Sequence, residues 1–139
     1  MIIVKTDASV ENSGNVGIGW EIEVAGLTDG YLQTGRITGH DTLDGSYTSM
    51  EAEMVALVRG FKEALRLGER EVIKLVTDCQ PLVKKIKNHS PVFDGSYVET
   101  VHFLSEVIDY WDLKWVSRKH NEAADRQAHV ALDKCRRQA

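Results

Sequence analysis

Four acidic residues stand where the chain passes from one element to the next. They are Asp7 in "MIIVKTDASV", Glu53 in "TSMEAEM", Asp78 in "VIKLVTD" and Asp125 in "NEAAD". A carboxylate beside a buried strand is costly unless it is paired or coordinates a metal. Carboxylates that crowd together repel one another, and divalent cations neutralise that repulsion. Two hard cations about 3.5–4 Å apart, bridged by carboxylates, are suited to in-line attack of water on a phosphodiester. The residue types therefore point to metal-assisted phosphodiester hydrolysis, provided the fold brings the four acids together.

Taken singly, each acid has a plainer account. An acid at a strand end is often a solvated loop residue, and an acid in the first turn of a helix favours the helix dipole. The dipole account suits Glu51, which shares its stripe with Val55, Arg59 and Lys62, a mixed outward face. It suits Glu53 poorly, because Glu53 shares its stripe with Leu57, Gly60 and Ala64, residues fit to lie against a sheet. Asp125 follows Asn121 in the first turn of the last expected helix, so the dipole account applies there too.

The elements that must position these acids are legible in the periodicity. Met1, Ile2, Ile3 and Val4 open a buried strand that ends at Asp7, and "ENSGN" turns the chain. In "VGIGWEIEV", Ile18, Trp20, Ile22 and Val24 alternate with small or polar residues, a strand with one buried face. "AGLTDG" reads as a second turn and "YLQTGRIT" as a third strand, completing an antiparallel meander. From Ser49 to Leu67 the apolar residues recur at helical spacing, with Thr48 or Ser49 as N-cap and Gly68 as stop.

"EVIKLVT" is a buried strand parallel to the first, "PLVKKIK" a short helix and "NHSPVFDGS" a loop. A helix through "VETVHFLSEVIDYW", a strand "LKWVS" and a helix capped by Asn121 and running to about Arg136 complete the chain. The order βββαβααβα predicts an α/β domain spanning residues 1–139, with a mixed five-stranded sheet flanked by helices. A right-handed crossover between neighbouring parallel strands carries Asp7 and Asp78 to one carboxyl edge, where open α/β sheets bind ligands.

Composition fits a soluble globular protein: 139 residues, 42% hydrophobic and 27% charged, with no apolar run of membrane-spanning length. The N-terminus lacks a signal layout, and Cys79 and Cys135 show neither zinc spacing nor a disulfide framework, so a reducing cytoplasm and no membrane partner are expected. The net charge of −4 argues against a strongly basic nucleic-acid binder.

On these motifs the sequence resembles the type 1 ribonuclease H family over nearly its whole length. "TDAS" with the glycine-rich "SGNVGIG" is similar to the family's first-strand signature, and "TSMEAEMVALVRGF" to its helix "TNNxAEYxALIxGL". "VTDCQPLV" resembles the "SDSQLV" strand end, and "VSRKHNEAAD" the "N-x-x-A-D" stretch. The resemblance implies a ribonuclease H-like fold and endonucleolytic cleavage of RNA within an RNA–DNA hybrid, leaving a 5′-phosphate and a 3′-hydroxyl. Double-stranded RNA is a further candidate substrate.

The resemblance also implies two Mg²⁺ ions, replaceable by Mn²⁺, held by Asp7, Glu53, Asp78 and Asp125 as the catalytic set. Asp7 would bridge both ions, and Asp125 would hold the one near the leaving oxygen. The Ala8–Ser13 turn (Ala8, Ser9 and Asn12), Ser49, Gln80 and Asn121 would contact substrate, where minor-groove 2′-hydroxyls mark RNA. A monomer is expected.

Three departures stand against the family pattern. Ser49 and Met50 replace its tandem asparagines, and "NHSPVF" is no basic protrusion of the bacterial kind. His120 lies five residues before Asp125, nearer than the family's loop histidine, and is an auxiliary candidate; the remaining histidines show no metal spacing. Two Mg²⁺ would offset the net charge of −4, while Lys84, Lys85, Lys87, Arg118, Lys119 and His120 could contact phosphates locally, a lysine-rich helix being equally readable as a solvated face.

Rival readings are separable. A proofreading exonuclease needs Asp-x-Glu on the first strand, which Asp7-Ala8-Ser9 lacks. A junction resolvase of the same fold would cut four-way DNA. A phospho-acceptor signalling domain alternates β and α from the start, unlike this meander. A hybrid-binding module without cleavage has no need of four acids.

Overall fold

The computed structural model describes residues 1–28, 31–68, 70–90, 92 and 96–138. Strands β1 (Ile2–Val10), β2 (Val16–Thr28) and β3 (Tyr31–Leu43) form the antiparallel meander. Helix α1 (Ser49–Leu65) crosses to β4 (Val72–Thr77), and α2 (Gln80–Lys87) and α3 (Ser96–Ser105) lead to β5 (Tyr110–Trp115). A short 3-10 turn at Arg118–His120 precedes α4 (Glu122–Gln138). The sheet order is β3-β2-β1-β4-β5, with β4 parallel to both β1 and β5, the mixed sheet that the sequence predicts. No helix among the described residues is long and apolar enough to cross a membrane.

Several boundaries differ from the sequence reading. β1 does not stop at Asp7: the parallel ladder to β4 ends at Thr6↔Thr77, while the antiparallel ladder to β2 continues from Asp7↔Gly19 to Val10↔Val16. Residues 25–28, expected to turn, remain in register with β3, from Ala25↔Thr34 to Thr28↔Tyr31. Cross-strand pairing here outweighs the turn-like composition of "AGLTDG". The apolar run after α3 also misleads. The helix ends at Ser105, and Tyr110 and Trp111 join β5, with the Tyr110 N–H donating to the Glu71 carbonyl at 2.8 Å. The expected turn at 29–30 and positions 91 and 93–95 of the expected loop lie outside the described residues.

Thr48 caps α1 through a reciprocal pair with Glu51, and Gly68 beyond the helix takes φ +85°, which a side chain would strain. The core lies between the sheet and one face of α1, where Met54, Leu57 and Phe61 meet Val4, Ile18, Ile22 and Leu75. Helix α4 lies on the other face of the sheet.

Close approach of both helices depends on missing side chains. A Cβ at Gly60 would stand 2.6 Å from Thr6 Cγ2 and 2.9 Å from Val4 Cγ1, so α1 settles directly onto β1. A Cβ at Gly19 would stand 2.5 Å from the Ala124 carbonyl oxygen and 2.7 Å from Gln127 Cβ, so α4 lies directly on β2.

Candidate active site

The two helices bring acids to one edge of the sheet. Asp7 and Asp78 each follow the last parallel pair, Thr6↔Thr77, and so leave adjacent strands at the same level. Glu53, in the second turn of α1, lies on the packed stripe. Asp7, Glu53 and Asp78 each place a carboxylate oxygen within 4.8 Å of the others. Asp7 is 2% exposed and Glu53 8%, whereas Asp78 is half-buried.

Hydrogen bonding leaves this cluster partly unsatisfied. The Ala8 N–H donates to Glu53 Oε1 at 3.2 Å, but Glu53 Oε2 and Asp78 Oδ2 are buried without a hydrogen-bond partner. A buried acceptor left alone costs about 1–3 kcal/mol. Burial pushes the Glu53 carboxyl up to about 11, reinforced by the charge of Asp7 beside it. Burial likewise pushes Asp7 up to about 7, with Asp125 and Asp78 adding to the shift and the Glu53 carboxyl and Ala8 N–H opposing it. Asp78 is raised by burial, against the opposing pull of Asn121 and Arg118. Burial therefore favours a protonated Glu53 at neutral pH, and a cation that replaces its proton would meet oxygen donors already aimed inward. This donor set fits a hard divalent ion.

Asp125 stands beside Asp7 but outside the three-acid cluster, with its side chain 34% exposed and its Oδ1 3.5 Å from His129 Nε2. His129 shows no metal spacing in the sequence. Its four-residue spacing from Asp125 on α4 was the signal that could have found it.

Asn121 differs from expectation. It is fully buried, its amide donates to the Thr6 carbonyl at 2.8 Å, and its Oδ1 has no hydrogen-bond partner. Its side chain thus points into the sheet and neither caps α4 nor reaches the surface. Trp115, absent from the sequence reading, donates from Nε1 to the Asp78 carbonyl at 3.1 Å.

The remaining candidates surround the acids by chain connection. Ala8 and Ser9 continue β1 beyond Asp7, and Asn12 is exposed in the following turn. Ser49 and Gln80 are the exposed first residues of α1 and α2, and His120 is exposed just before α4. Glu51 serves Thr48, whose N–H donates to its Oε1 at 2.8 Å, and takes no part in the cluster.

Sheet order, crossover and converging carboxylates define the ribonuclease H fold. The chain belongs to the reverse transcriptase-like family, whose model matches residues 6–131, and shares the fold of the RNase H1 structures. The RNase H1 of the halophilic archaeon Halobacterium salinarum superposes with a TM-score of 0.78 at 26% identity, covering 96% of this chain and 98% of that one. The N-terminal RNase H domain of a Mycobacterium tuberculosis protein, solved as a maltose-binding-protein fusion, gives 0.78 at 19% identity over 99% and 96%. LC11-RNase H1 from compost, solved in complex with an RNA/DNA hybrid, gives 0.70 at 20% identity over 97% and 99%. No curated protein matches the chain.

Proposed function

We propose that the protein hydrolyses the RNA strand of RNA–DNA hybrids endonucleolytically, leaving a 5′-phosphate and a 3′-hydroxyl. The observation that carries this reading is the buried three-carboxylate cluster with two orphaned oxygens at the carboxyl edge of a ribonuclease H sheet. Asp7, Glu53, Asp78 and Asp125 would hold two Mg²⁺, or Mn²⁺ in their place. Bound there, the ions would supply an activated water and charge neutralisation at the scissile phosphate.

The chain's own residues prepare that chemistry. Glu53 and Asp7 give up the protons that burial makes them hold, so occupancy is linked to pH. Asn121 ties β1 to the start of α4 and keeps Asp78 and Asp125 at one level. Ala8, Ser9, Asn12, Ser49 and Gln80 face the minor groove, with Ser49 and Met50 altering the contacts that tandem asparagines would make. His120, exposed just before α4, is an auxiliary group for product release. The domain acts as a single chain in the cytoplasm.

Labelled RNA–DNA hybrid, double-stranded RNA and DNA duplex, each with Mg²⁺, with Mn²⁺ and with chelator, form the test. Metal-dependent cleavage of the hybrid's RNA strand is expected. Cleavage that persists in excess chelator overturns the reading.

A further inference from the structure

Helix α4 covers only the upper part of its side of the sheet, where Gly17 and Gly19 receive it. Below the start of α4 that face is open. Pairing places Ile3, Lys74 and Asp112 on one rung, and Lys5, Val76 and Lys114 on the next. These residues, with Val116 and His120, line a groove of about 330 Å³. Its floor is apolar and its walls carry three lysines and one histidine against a single carboxylate.

The cations are unequally used. Lys5 meets Glu23 at 3.4 Å and Glu21 at 4.0 Å, on the side towards β2. Lys74 and Lys114 are exposed and pair with no carboxylate among the described residues. The one acid between them, Asp112, accepts at Oδ1 from the Leu113 N–H at 2.9 Å. In a chain of net charge −4, two unpaired lysines over an apolar floor make a local site for anions.

Along the chain the groove ends close to the catalytic edge. The Val116 N–H donates to the Thr77 carbonyl at 3.0 Å, one residue before Asp78, and His120 adjoins Asn121. Strands lie about 4.8 Å apart, so Lys5 and Lys114, two strands apart across Val76, are rooted about 10 Å from one another. That spread lets each ammonium take its own phosphate along one strand. Ile3, partly exposed on the apolar floor, offers a surface on which a base can rest.

We propose that this groove binds a single-stranded continuation of the substrate, guiding the strand that runs off the hybrid away from the acids. The inference rests on the hybrid reading above, which supplies the duplex from which that strand continues.

The test uses Asp7→Asn protein, which leaves hybrids uncut, with a blunt hybrid and with the same hybrid carrying a single-stranded extension at each end in turn. The extended hybrid is expected to bind about three- to tenfold more tightly at one of the two ends. Lys74→Glu with Lys114→Glu should abolish that gain and leave blunt binding unchanged. The salt slope for the extended hybrid should fall by about 1.4, two single-strand contacts at about 0.7 each.

Competition separates the possible occupants. A single-stranded oligonucleotide should remove the gain, whereas inorganic phosphate, a mononucleotide or polyglutamate at equal charge should not. Equal affinity for blunt and extended hybrids overturns the proposal, as does equal loss on both in the lysine variant. So does polyglutamate competing as well as the oligonucleotide. Native protein that cuts blunt hybrid while failing these tests keeps the hybrid reading and loses only the groove. Native protein that cuts no hybrid removes both.

Discussion

Gly19 stands directly opposite Asp7 in the β1–β2 ladder, and no larger residue could take its place without moving α4. The first acid and the helix that carries the fourth are thereby held at one level by an absent side chain. Gly19→Ala should destabilise the fold by about 1–3 kcal/mol through overpacking. It should also reduce cleavage more than the residual folded fraction explains, because α4 must shift with Asp125. Activity per folded molecule, measured beside thermal melts, checks this; unchanged specific activity would mean that the helix does not set the spacing.

Glu51 and Glu53 divide two tasks within one turn of α1. Glu53→Gln should lower cleavage at least about a hundredfold, the scale of losing several kcal/mol of charge stabilisation. Glu51→Gln should leave turnover nearly intact and cost less than about 1 kcal/mol of stability, since it weakens one half of a capping box. Steady-state rates and melts on both variants decide, and equal activity losses would contradict the division.

Repulsion among the acids predicts a gain in stability when one is neutralised. At about 4 Å two like charges cost about 1 kcal/mol in water and about 4 kcal/mol at an effective dielectric of 20. Asp7→Asn or Asp78→Asn should therefore melt higher than native protein in chelator, while cleaving nothing in Mg²⁺. Added Mg²⁺ or Mn²⁺ should stabilise native protein more than either variant. A lower melting temperature for the variants in chelator would assign the carboxylates to hydrogen bonding instead.

The raised carboxyls give that repulsion a pH signature. Burial first, then neighbouring charge, lifts Asp7 from 3.8 to about 7. Below pH 4 the folded and unfolded states both hold the proton, and the penalty is absent. Between about pH 4 and 7 the unfolded chain releases it first, so stability falls as pH rises. Glu53, raised to about 11, extends the same trend upward. Melts in chelator from pH 5 to 8 should fall with pH, less steeply in Asp7→Asn, and metal binding should release protons in calorimetry run in two buffers. A rising curve across this window would show that the acids are satisfied when charged.

His129 offers the narrowest of these tests. Its Nε2 lies 3.5 Å from Asp125 Oδ1, and it is exposed. His129→Ala should leave hybrid affinity unchanged and lower turnover severalfold, with the loss largest at low metal concentration. His129→Gln, which keeps a donor, should recover part of it; identical metal titrations in all three proteins would exclude the contact from function.

The sequence made much of this site legible, because helical and strand periodicities differ enough to separate Glu53 from Glu51 and to place Asp7 and Asp78 on strands. What it hid follows from long-range pairing. Nothing local to "AGLTDG" reveals that β3 will hold residues 25–28 in a ladder, and nothing near Asn121 reveals the Thr6 carbonyl it serves, which lies far away in sequence. Tyr110 and Trp111 read as helix because an apolar run carries no period of its own until β4 offers it an edge.

The bond from Asn121 to Thr6 also has a temporal meaning. It joins a residue near the start of the chain to one near its end; Asp7, Glu53 and Asp78 lie between them and Asp125 just beyond. Contacts of such sequence separation are closed late and slowly, after local helices and the β1–β2 hairpin. The protein would therefore acquire its catalytic edge only when its last helix docks, and local opening of α4 would switch the nuclease off while most of the sheet stayed folded.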